Sequence, residues 1–231
     1  MDAAVGQAGT AVKVLLVCGI LASALHFAAD RLAGALWSGY DFFSQSMSEL
    51  LAAGAPTRSV AATLDLIAGL LMVAFAVGVW MVAESTAVRL LSAVLMASTV
   101  IGMVATAFFP IHPTEAMSAR PNMTNTLLMA VSTVVLWSIA IIVAAIAFSG
   151  WFRYYSIATL IGYALLTTWG LLAPSLMSEP STVPTTGVQE RTMGYVFLLW
   201  VALLAVYLLQ AVAAAESVTS AVASRSRAFG G

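Results

Sequence analysis

Only nine cations and ten carboxylates occur in 231 residues, and ten of these nineteen gather in three polar segments, Asp30 to Arg58, Pro110 to Asn125 and Pro174 to Arg191. Long apolar stretches separate these segments. A helix that crosses a bilayer needs about 20 mostly apolar residues. Six stretches meet that length: Ala11 to Ala29, Val60 to Val82, Leu90 to Phe109, Thr126 to Phe148, Tyr155 to Ala173 and Met193 to Ala214. With 61% apolar and 8% charged residues, against roughly 25% charge in a soluble domain, the chain reads as an all-α polytopic membrane protein, a six-helix transmembrane bundle.

Six spans put both termini on one side. Lys13, Arg89, Arg153, Arg225 and Arg227 fall on that side, against Arg31, Arg58, Arg120 and Arg191 on the other. The loops opposite the termini are longer and hold seven of the ten carboxylates. The positive-inside rule then places both termini in the cytoplasm, with the bacterial inner membrane as the expected location. No linker divides the chain, so residues 1–215 read as one transmembrane domain and residues 216–231, rich in Ser and Ala, as a flexible cytoplasmic tail. The short connections Ala83 to Arg89 and Ser149 to Tyr154 predict two antiparallel helical hairpins. Trp151, Phe152, Tyr154 and Tyr155 around Arg153 read as an interfacial aromatic belt with a snorkelling cation.

The densest polar cluster lies in the first loop. Phe42, Phe43, Met47, Leu50 and Leu51 recur at helical spacing, while Gln45, Ser48 and Glu49 share another face. This predicts a short amphipathic helix at the outer interface, ending near Gly54. Two readings of Glu49 stand side by side. With Ser46 it forms the capping-box pattern, which would make it architectural; facing a cavity, it would be a functional carboxylate. Asp41 is suited to capping a helix that begins at Phe42.

The residues Tyr40, Asp41, Gln45, Ser48, Glu49 and Leu50, with the run Gly54-Ala55-Pro56-Thr57-Arg58, resemble the bacterial integral membrane family of unknown function 998. That family is itself distantly similar to the Frag, DRAM and Sfk membrane proteins. Phe108-Phe109-Pro110 with His112, then Tyr155-Ser156, then Glu190-Arg191 extend the resemblance over nearly the whole chain. It implies a six-helix integral membrane fold and no established activity. Relatives often carry an acidic residue followed three positions later by His at the start of the fourth helix; this chain has Asn125 and Leu128.

Asp65 is the sharpest single candidate. Seven residues after Arg58, it shares that residue's helix face about 10 Å further along the axis, at a depth where an ionisable side chain is costly and counts as functional by default. A buried ion pair with Arg58 or Arg191 is the structural alternative. Glu190 and Arg191 open the last span, where a carboxylate also offsets the helix dipole. His26 and His112 lie near the outer ends of their spans. Without metal-ligand spacing, they read as hydrogen-bonded interfacial histidines. No phosphate loop, nucleophile elbow or paired-cysteine motif is present, no cofactor or metal is implied, and no basic patch supports nucleic-acid binding.

The leading functional reading is a membrane-embedded enzyme acting on a lipid or isoprenoid from an outward-opening apolar cavity. Asp65, Glu190 and Glu49 are the candidate acid–base groups, and Arg58 and Arg191 would hold an anionic head group. Gln45, Ser48, Tyr40 and His112 complete the expected binding set, with Trp37, Tyr40, Phe108 and Trp169 as cavity walls. The alternative is a non-catalytic lipid-binding or membrane assembly protein, which predicts a closed Asp65–Arg191 pair with no cavity beside it. A small transporter ranks third and requires an open path past Asp65, with broken helices or an inverted repeat.

Overall fold

Inside a bilayer every backbone amide must find its partner within the protein, which restricts a spanning chain to helices or closed barrels. The computed structural model describes residues 2–111, 123–176 and 186–229, and among these it contains helices and no strand. They are α1 (Asp2–Leu36), α2 (Arg58–Met81), α3 (Thr86–Phe108), α4 (Met123–Ala147), α5 (Trp151–Leu176) and α6 (Thr186–Phe229). Five of them, α1, α2, α3, α4 and α6, are long and apolar enough to cross a membrane, where six spans were expected. The sixth, α5, falls short over its described residues, where it opens on Trp-Phe-Arg-Tyr-Tyr and carries Thr159, Thr167 and Thr168. The fold is that of a multi-pass membrane protein. Leu66, Leu70, Trp80, Ile146 and Leu165 stand exposed on the bundle surface, as a lipid-facing shell requires and a soluble protein avoids.

Each helix packs on its neighbour in sequence, and α6 closes back onto α1, so the six helices form a ring. The two expected hairpins, α2 with α3 and α4 with α5, are both present. Ser85 caps α3 by accepting from the Val88 amide at 3.3 Å. Arg153 caps the end of α4 through the carbonyls of Ala145 and Phe148, at 3.0 and 3.1 Å. Of its aromatic neighbours, Trp151 and Tyr154 are exposed while Phe152 is fully buried and stacks on Tyr207, so the expected belt is half core. The helix α6 runs on through the stretch expected as a tail, and Glu216 there pairs with Lys13 of α1.

The ring is filled at the end nearer the termini. Phe75, Leu91, Ile141, Phe152, Trp200 and Leu204 are buried there. The few polar groups among them are satisfied: Ser92 Oγ donates to the Ala76 carbonyl at 2.6 Å, and Trp200 Nε1 to Ser156 Oγ at 3.0 Å. Toward the other end the helices diverge around a hollow. At that level α4 loosens into a π-helical segment, Ala130–Leu136, a geometry frequently found at functional sites. Tyr163 of α5 donates to the Thr133 carbonyl and Ser132 to the Ser98 carbonyl, at 2.5 and 2.8 Å, which ties the segment to both neighbouring helices.

Candidate functional site

The first loop is held by local polar bonds. The expected amphipathic helix from Phe42 is replaced by turns followed by a single 3₁₀ turn, Met47–Leu51. Asp41 stops an earlier helical start. Its carboxylate accepts from the Phe43 amide at 3.0 Å and the Ser44 hydroxyl at 2.6 Å, an Asx turn rather than an α-helix cap. The Ser44 hydroxyl, then the Phe43 amide, hold the Asp41 carboxyl below the usual carboxylate range. The Ser46–Glu49 capping box forms, with the Ser46 amide donating to Glu49 Oε1 at 3.0 Å. Gln45 Nε2 donates to the other Glu49 oxygen at 3.0 Å. Gly54, at φ 91°, supplies the left-handed turn that ends the segment.

A buried ion pair fastens this loop to the bundle. Arg191, near the start of α6, faces Asp30, in the last two turns of α1; their side chains are 5% and 1% exposed. Arg191 Nε and Nη2 donate to the two Asp30 oxygens at 3.1 and 3.0 Å, the bidentate geometry an Arg fork favours. Nη1 donates to the carbonyls of Phe42 and Gln45 at 2.8 and 2.7 Å, with the Gly187 carbonyl at 3.2 Å, and Nη2 also reaches the Tyr40 hydroxyl. Tyr195 donates to Asp30 as well. The five guanidinium donors are thereby committed within the protein. Burial pushes the Tyr40 phenol up to about 12, outweighing the opposing pull of Arg191. The loop can lie this close only because position 187 is glycine: a Cβ there would sit 2.3 Å from the Gln45 carbonyl oxygen.

Behind the loop lies a chamber of about 540 Å³, within the roughly 300–1,000 Å³ of ligand pockets. Its walls come from all six helices and the 3₁₀ turn, and they are mainly apolar: Leu51, Met72, Leu95, Met103, Met129, Trp137, Phe197 and Leu198. Trp137 stacks flat on Phe197 with centroids 3.9 Å apart. Into this lining project His26 of α1, Asp65 of α2 and Glu190 of α6. His26 Nδ1 lies 3.3 Å from Asp65 Oδ1, and both side chains are about a quarter exposed, at 26% and 27%. Glu190 accepts from the Met47 and Ser48 amides at 3.1 and 3.3 Å, capping the 3₁₀ turn from across the chamber mouth. A carboxylate that orients an imidazole can leave the second ring nitrogen to exchange a proton with a bound ligand. Among the described residues, no three His, Cys, Asp or Glu side chains gather as metal ligands.

The sequence candidates thus divide. Asp65, Glu190 and Ser48 line the chamber together. Glu49, Gln45 and Tyr40 are engaged in the loop, and Arg191 in the buried pair. Arg58 donates to the Leu51 carbonyl at 2.7 Å and does not line the chamber. The expected Asp65–Arg191 pair is absent: Asp30 takes the arginine and His26 takes Asp65, because α1 lies between them in the ring. Of the aromatic walls expected, Trp37 and Tyr40 pack in the loop cluster and Phe108 and Trp169 point outward; Trp137, Tyr163 and Phe197 take their place. His112 lies outside the described residues. The sequence reading missed the His26–Asp65 partnership and the lining by Gln189 and Asn125. Asn125 is buried and donates to the Phe109 carbonyl at 2.7 Å. Two signals pointed to His26 and Asp30: they are one helical turn apart, and they are polar residues toward the C-terminal end of an otherwise apolar span.

No curated protein and no solved structure matches this chain. The family model that matches covers residues 20–207, from the middle of α1 into α6, and so includes the loop, the buried ion pair and the chamber. The chain belongs to the family described as protein of unknown function (DUF998).

Proposed function

We propose that the protein is a membrane-embedded enzyme acting on a lipid or isoprenoid held in the chamber. His26 and Asp65 are its proton-exchanging pair, and Glu190 is the second carboxylate. The observation that carries this reading is the 3.3 Å approach of His26 to Asp65 on the wall of a chamber that Glu190 also lines. Ionisable groups at membrane depth are expensive, and these three do not close into a salt bridge with an arginine. In this reading α5 is the sixth span, since it packs along α4 and α6. Both termini lie in the cytoplasm of a bacterial inner membrane, and the chamber opens on the outer side.

A turnover assay tests it. Purified protein is incubated with a lipid extract of its own expression membranes, and lipids are compared by mass and retention time for wild type, His26→Ala, Asp65→Asn and Glu190→Gln. The expected result is a converted species made by wild type, with its rate about 10²–10⁴-fold lower in the His26 and Asp65 variants, the scale of a lost acid–base group. A lipid that co-purifies but is never converted argues for the second reading, a non-catalytic lipid-binding or assembly protein. The closed Asp30–Arg191 pair supports that alternative, because it engages much of the polar cluster in contacts with the loop.

A further inference from the structure

We infer that the polar end of the ligand is cationic: the chamber takes an amphiphile bearing an amine or quaternary ammonium on an apolar chain. This rests on the reading of the chamber as the ligand site and adds the chemical class. Among the described residues lining it are two carboxylates, Asp65 and Glu190, and no Lys or Arg. The two arginines suited to an anionic head group are turned elsewhere, Arg191 to Asp30 and Arg58 to the Leu51 carbonyl. With both carboxylates ionised, the three groups carry one net negative charge when His26 is protonated and two when it is neutral.

Both carboxylates keep acceptor capacity. An ionised carboxylate offers about four lone-pair sites. Asp65 meets only His26 among the described residues, and Glu190 receives two amide donors and the Ser48 hydroxyl, which still leaves a site open on each. The same chamber also has an aromatic wall: Phe197 and Tyr163 lie against Trp137, with centroids 3.9 and 6.3 Å away. Ring faces attract ammonium groups, more strongly once these are desolvated. A phosphate entering the same apolar space would find carboxylates and, among the described lining residues, no Lys or Arg to balance its charge at low dielectric.

The test uses full-length protein in an uncharged maltoside detergent and three chain-matched, bromine-tagged probes: dodecyl trimethylammonium, dodecanol and dodecyl phosphate. Concentrations are expressed as mole fractions in the micelle. Binding is read as quenching of tryptophan fluorescence, and Trp137→Phe identifies the component that arises in the chamber. The ammonium probe is expected to half-saturate about tenfold below the alcohol, with the phosphate weakest. Glu190→Gln and Asp65→Asn are expected to narrow that ratio, which is taken within each variant and so is insensitive to altered stability. Trp137-dependent quenching in which alcohol or phosphate equals or exceeds ammonium overturns the charge preference and leaves the chamber as the ligand site. Quenching by no probe that depends on Trp137 overturns both.

Discussion

Removing the charge of Asp30 isolates the contribution of the buried ion pair. In Asp30→Asn the Arg191 guanidinium keeps its three carbonyl neighbours but loses the carboxylate it is paired with, in a site where the two side chains are 5% and 1% exposed. Leaving such a charge uncompensated costs about 3–5 kcal/mol, or roughly two to four decades in the unfolding equilibrium at 1.4 kcal/mol each. Arg191→Met is expected to cost more than Asp30→Asn. It strands the Asp30 carboxylate and also removes the donor to the Phe42 and Gln45 carbonyls, each worth about 1–3 kcal/mol if left bare. The double variant should be less destabilised than the sum of the two, since neither charge is then alone. Unfolding in mixed micelles of increasing sodium dodecyl sulfate, followed by tryptophan fluorescence, gives the ranking. A neutral Asp30→Asn, or an Arg191→Met milder than it, would refute the assignment of this pair as the fastening of the loop.

Three further outcomes follow from the geometry. Gly187→Ala forces a Cβ against backbone carbonyl oxygens, the nearest at 2.3 Å; it should destabilise by about 1–3 kcal/mol in the same micellar unfolding assay. The raised Tyr40 phenol contributes stability that is complete below its ordinary pKa near 10 and is lost as pH climbs toward about 12, so wild type should lose more stability over that window than Tyr40→Phe in pH-dependent melts. Ser156→Ala removes the acceptor of the buried Trp200 indole and should cost about 1–3 kcal/mol in the same micellar unfolding assay, with no change in ligand binding.

The sequence carried the helical class, the hairpins and the capping box, because each depends on neighbours close in the chain. Apolar length decides where a span lies, and Ser46 with Glu49 needs only three residues of separation. Asp65 was legible for a related reason: an ionisable group at a computable depth stands out whatever packs beside it. Its partner did not, since pairing His26 with Asp65 depends on the relative height of α1 and α2. That height is set by contacts such as Gly78 against the Leu15 and Leu16 backbone. Asp30 and Arg191 are 161 residues apart, and their meeting follows from α6 closing the ring on α1. The aromatic walls were misplaced because helices apolar on every side give no period from which to read an inner face. The first loop misled in the opposite way: its spacing suited a helix, but the Asp41 carboxylate, held by the Ser44 hydroxyl, takes the Phe43 amide and stops it.

The account depends most on the chamber holding the ligand, and a variant that fills it gives the direct test. Gly102 lines the chamber, and a Cβ added there would meet only Ser132 Oγ, at 3.5 Å. Gly102→Trp therefore places an indole in the cavity without displacing backbone. Native mass spectrometry of wild type and Gly102→Trp, with extraction and identification of retained lipids, should show a specific amphiphile bound to the first and missing from the second, while both melt at similar temperature. The same amphiphile retained equally by both proteins would contradict the assignment of this chamber as the site of function.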